Sequence, residues 1–141
     1  MLRFSIAVLF AFACTEAARA ADRAAAAIDC KPANAKFAYD CVIKLTNTRS
    51  NAPLEKADIT VGADMPSMPM AHNVKPVIAK PTGKPGEYEA RLQLEMFGDW
   101  AVRLKVEGAL RDQIVVMKNF NDKGSGAPAR KAGGHGGGHK H

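Results

Sequence analysis

From residue 88 to residue 96 every second side chain is apolar: Tyr88, Ala90, Leu92, Leu94 and Met96. Glu89, Arg91, Gln93 and Glu95 stand between them. A period of two puts one set on one face of an extended chain and the other set on the opposite face, which describes a strand with one buried and one solvated side. The pattern repeats at once. Trp100, Val102, Leu104 and Val106 alternate with Arg103, Lys105 and Glu107. A segment from residue 37 to 46 alternates at several positions, Asp58-Ile-Thr-Val-Gly is a short β-branched run, and residues 113–120 form a last apolar strand. Turn signals lie between these runs: Asn51-Ala-Pro, Pro81-Thr-Gly-Lys-Pro-Gly, Phe97-Gly98-Asp99 and Glu107-Gly108. Several short strands at this spacing, without a convincing amphipathic helix, predict an all-β sandwich.

The first twenty residues read as a secretory signal. Arg3 gives a positive start, residues 4–13 are uncharged and mostly apolar, and Ala18-Arg19-Ala20 supplies the small-x-small pattern for cleavage after Ala20. The apolar run is shorter than the roughly 20 residues a membrane helix needs, which disfavours an uncleaved anchor. A lipoprotein at Cys14 is the other alternative, but Phe12 is bulky where small residues are required. The expectation is a periplasmic protein without stable membrane insertion. Removing residues 1–20 leaves 121 residues, enough for one domain, and lowers the net charge from +6 to +5. Basic and acidic residues are interleaved and no dense basic block with aromatics occurs, so nucleic-acid binding is not expected.

Within the mature chain, residues 21–29 are alanine-rich without cap signals and read as a flexible N-terminus. The domain is expected from residue 30 to 120. Residues 121–141 carry no apolar side chain larger than alanine and end in a glycine- and histidine-rich stretch, which predicts a disordered tail. Two cysteines remain, Cys30 and Cys41. In an oxidising compartment an even pair favours a disulfide, and the separation of eleven suits a hairpin-like loop. Thiolate metal ligation is the alternative.

The most unusual stretch is Met65-Pro66-Ser67-Met68-Pro69-Met70-Ala71-His72. Thioethers and imidazole suit Cu(I), so Met65, Met68, Met70 and His72 are candidate copper ligands. In an extended strand Met68, Met70 and His72 share a face; in a polyproline-like stretch Met65 and Met68 align instead. Pro66 and Pro69 stiffen the segment and suit a loop or edge strand. The competing role for these methionines is core packing. Met96 is a weaker further ligand whose phase with Leu94 favours the core, and Met117 reads as core. His135, His139 and His141 on glycine form a looser site for Cu(II), Ni(II) or Zn(II). No nucleophile elbow, phosphate-binding glycine loop or paired carboxylates stand out, so the chain is not expected to be an enzyme.

Three pieces in order carry a family resemblance: Val61-Gly-Ala-Asp-Met-Pro-Ser-Met-Pro-Met-Ala-His72, Pro85-Gly86-Glu-Tyr88, and Leu94-Glu-Met96-Phe-Gly98-Asp-Trp100-Ala-Val102. They resemble the YtkA-like/FixH-like exported domains over about residues 41–107. The resemblance implies an immunoglobulin-like β-sandwich. It also implies an accessory role beside copper or heavy-metal handling and oxidase assembly. Two functions follow as expectations. One is binding or delivery of copper; the other is a metal-free assembly module that binds an envelope protein through a sheet edge and exposed methionines.

Overall fold

The computed structural model describes residues 22–70, 74–108 and 110–129. They form nine strands in chain order: β1 (Ala24–Pro32), β2 (Ala38–Asn47), β3 (Ala57–Asp64), β4 (Val77–Ile78), β5 (Lys80–Pro81), β6 (Glu87–Gln93), β7 (Gly98–Gly108), β8 (Asp112–Asn121) and β9 (Gly124–Gly126). One sheet has the order β1-β2-β6-β5 and the other β4-β3-β7-β8-β9, with every pair antiparallel. The fold is therefore an all-β sandwich of two sheets.

The alternation that predicted β6 and β7 sets the core. Tyr88, Ala90 and Leu92 face inward from β6, and Trp100, Val102, Leu104 and Val106 from β7. They meet Tyr39, Ile43 and Leu45 of β2 and Ile59 and Val61 of β3. The polar tips of the buried aromatics are satisfied. Trp100 Nε1 donates to the Met96 carbonyl at 3.2 Å, and the Tyr88 hydroxyl donates to the Leu54 carbonyl at 2.8 Å. The Tyr39 hydroxyl donates to the Asn121 carbonyl at 2.8 Å. Burying these groups without partners would oppose folding.

Cys30 and Cys41 stand directly opposite each other on the inward faces of β1 and β2 and are joined as a disulfide, with Cα atoms 4.0 Å apart. At this position the Cys30 N–H turns away from β2 and donates to Ser125 Oγ of β9 at 2.9 Å. Farther along the same edge, the Ala24 N–H donates to Asp112 Oδ2 of β8 at 2.9 Å. Side chains of one sheet thus satisfy donors on the outer edge of the other.

The boundaries expected from the sequence need correction at both ends. Residues 24–29 are not a loose N-terminus; they are most of β1, paired from Ala24↔Asn47 onward. The tail does not begin at residue 121. Asn121 belongs to β8, β9 pairs with it, and the Ala129 N–H donates to Asp99 Oδ1. The expected signal segment, residues 1–20, lies outside the described residues. Among the described residues no helix is long and apolar enough to cross a membrane.

Candidate metal site

β3 ends at Asp64, and the methionine segment follows as a loop at one end of the sandwich. The Met68 N–H donates to the Met65 carbonyl at 3.0 Å. That closes a turn with Pro66 in its second position, where a fixed φ favours the bend. Met65 points inward. It is 4% exposed and belongs to the core cluster. Its ε-methyl carbon sits 3.2 Å from the position a β-carbon on Gly98 would take, so Gly98 leaves the space that the thioether fills. Met65 anchors the loop rather than presenting a sulfur to solvent.

The next two methionines do the opposite. Met68 is 40% exposed and Met70 98% exposed, and Met70 adopts a left-handed backbone with φ of 64°. His72 lies outside the described residues, as do His135, His139 and His141. The structure therefore divides the sequence motif into one core side chain and two solvent-facing thioethers.

The sequence pattern favours the core for Met96 and Met117, but both are on the surface. β6 stops at Gln93, and the Leu94 N–H donates to the Phe37 carbonyl as the chain turns. The alternation therefore lapses before Met96, which is 37% exposed beside the half-exposed Phe97. Phe97 packs edge-on against Phe37, with ring centroids 4.9 Å apart. Met117 is paired with Ala101 on the outer face of β8. The start of the 65–70 loop meets the end of the 94–97 turn where Met65 packs against Gly98.

The polar groups at the same corner are tied to one another. Asp64 pairs with Arg103 at 3.0 Å. Asp99 Oδ1 accepts from Asn119 Nδ2 at 2.7 Å and from the Ala129 N–H at 3.1 Å. Among the described residues no group of three His, Cys, Asp or Glu side chains is arranged to hold a metal ion. The solvent-facing sulfur donors among the described residues of the two loops are Met68, Met70 and Met96.

A family profile described as YtkA-like matches residues 28–105. The chain belongs to the YtkA-like family. No curated protein and no solved structure matched it. The YtkA-like span runs from within β1 to near the end of β7. It contains the methionine loop, the buried Met65 and the Gly98 turn. In this YtkA-like protein β8, β9 and the histidine-bearing C-terminus lie beyond the matched residues.

Proposed function

We propose that this protein is a non-enzymatic periplasmic accessory protein that binds Cu(I) and delivers it to an envelope partner. The observation that carries the reading is the presentation of Met68 and Met70 to solvent on a proline-stiffened loop pinned by buried Met65. Thioethers match a soft ion and bind without losing a proton. His72, two residues beyond Met70 in sequence, supplies an imidazole of suitable chemistry. The export signal read in residues 1–20 supports the location. The strand order supports the finer fold reading: β1-β2-β6-β5 opposite β3-β7-β8 follows the ABED and CFG order of an immunoglobulin-like domain.

The test is titration with Cu(I) against a competing chelator. Met68→Ala with Met70→Ala weakens binding by about tenfold or more, equivalent to about 1.4 kcal/mol. Unchanged affinity in that double variant removes the copper reading.

The second reading is a metal-free assembly module. What favours it is the exposed apolar group formed by Phe97 and Met96 at the loop end, since exposed apolar surface marks contact sites. Phe97→Asp would then abolish partner capture whether or not copper is present.

A further inference from the structure

We propose that the outer face of the β1-β2-β6-β5 sheet docks a second copy of this chain about a two-fold axis. The inference does not depend on copper.

The first ground is the shape and exposure of the face. Cys30, Cys41 and Ala90 turn into the core, so their neighbours along each strand turn outward. Asp29, Lys31, Asp40, Glu89 and Arg91 are all exposed there, and Val42 in their midst is 38% exposed. With Val77 and the exposed Ile78 at its margin, this face forms a groove of about 810 Å3. Valine and isoleucine exposed among charges give a contact surface some apolar area.

The second ground is how the charges are sorted. The strand register sets two rows across the sheet. One row is Lys31, Asp40 and Arg91; the next is Asp29, Val42, Glu89 and Lys80. Asp40 is already engaged, because Arg91 holds both its oxygens at 2.6 and 3.0 Å. The first row therefore carries two cations and one acid, a net +1, and the second two acids and one cation, a net −1. Asp29, Lys31 and Glu89 have no ion pair or side-chain hydrogen bond with any other described residue. Solubility alone asks for interspersed charge, not for signs sorted by row.

The third ground is self-complementarity. A two-fold axis lying in the face, across the strands and midway between the rows, turns each row of one copy onto the other row of its mate. Lys31 then meets Asp29 of the second copy, and Arg91 meets Glu89 of the second copy. The symmetry repeats both contacts, giving four ion pairs around Val42. Packed sheets lie about 10 Å apart with strands turned by about 30°, and the long lysine and arginine side chains span the resulting offset near the axis. Charges placed in this way set the register of an interface and reject other pairings.

The test is sedimentation equilibrium on the oxidised chain without residues 1–20, in metal-free buffer. The parent is a monomer–dimer mixture that shifts with concentration. Lys31→Glu and Asp29→Lys each weaken the dimer by about tenfold or more, because one substitution replaces two ion pairs by two like-charge contacts. Both positions are exposed and unpaired within the chain, so the melting temperature of each variant stays that of the parent monomer. Lys31→Glu combined with Asp29→Lys exchanges the partners and recovers most of the lost affinity. Glu89→Arg, at the other end of its row, weakens the dimer as well. A parent that stays monomeric up to about 1 mM overturns the proposal. A dimer that neither single reversal weakens lies on another surface and also overturns it. So does a combined variant that is no better than the single ones, since the two residues then do not meet.

Discussion

The ε-methyl of Met65 occupies the space that a side chain on Gly98 would need. The two residues are far apart in sequence, yet together they join the methionine loop to the start of β7. Gly98 also has φ of 135°, a backbone conformation that side chains with a β-carbon rarely adopt. Gly98→Ala should therefore cost about 1–3 kcal/mol through backbone strain alone, with displacement of Met65 in addition. Chemical denaturation measures this; a change below about 0.5 kcal/mol, the scale of an ordinary surface substitution, would contradict it.

Trp100 is fully buried, with its indole N–H bonded to the Met96 carbonyl. Trp100→Ala should cost about 3–5 kcal/mol. Trp100→Phe keeps most of the volume but leaves the carbonyl without its donor, and should cost less. Equal losses in the two variants would show that packing is not the main term.

The Cys30–Cys41 bond closes a short loop between neighbouring strands. Without reductant the chain lacking residues 1–20 should be two hydrogens lighter by mass spectrometry and should resist alkylation until unfolded and reduced. Cys30→Ala with Cys41→Ala should lower stability by about 3 kcal/mol in the chain-entropy view of loop closure. Complete alkylation of the unreduced, unfolded chain would disprove the bond.

Asp112 is enclosed by donors. Burial pushes its carboxyl pKa up, but hydrogen bonds from the Ala24 and Gln113 N–H groups and from Arg23 outweigh this and hold it below the usual carboxylate value. A group with a lowered folded pKa stabilises the fold above its unfolded pKa of about 3.9, and the contribution is lost as pH falls through the folded value. Asp112→Ala should therefore destabilise at neutral pH. The difference from the parent should shrink below about pH 4. A difference that stays constant through acid would mean that the charge contributes nothing.

The extent of the C-terminus gives another measurable difference. Ending the chain after Ala129 keeps β9 and should leave the melting temperature nearly unchanged. Ending it after Asn121 removes Ser125, the acceptor of the Cys30 N–H, and uncovers the edge of β1. That shorter chain should melt several degrees lower, the scale of about 1 kcal/mol in a domain of this size. Equal melting temperatures for the two would show that β9 contributes nothing to stability.

The strands that the sequence reveals are those whose side chains are sorted by face. β6 and β7 alternate cleanly because each has one wet side. β1 is hidden because Ala24 to Ala27 carry no large apolar side chain; its pairing with β2 and its covering by β8 and β9 make it a strand. β9 is Gly-Ser-Gly and has almost no side-chain pattern to read. In β8 the run Ile114-Val115-Val116-Met117 is apolar on both faces. Phase is then ambiguous in the sequence; in the structure Ile114, Val116 and Phe120 pack inward, so the even-numbered residues face the core. At the candidate site, sequence chemistry picked out the methionines but could not separate Met65 from Met68 and Met70. That division depends on a turn closed by the Met65 carbonyl and on the space beside a distant glycine.

Residues 77–81 border both layers. Val77 and Ile78 pair with β3 at the margin of one sheet, Ala79 is buried and donates to the Ile59 carbonyl, and Lys80 and Pro81 pair with β6 at the margin of the other. A short segment shared in this way acts as a rivet: neither layer can peel from this side without releasing the other. Amide protons of β3 and β6 near this margin should therefore exchange with solvent water in a single correlated opening, although they belong to different sheets.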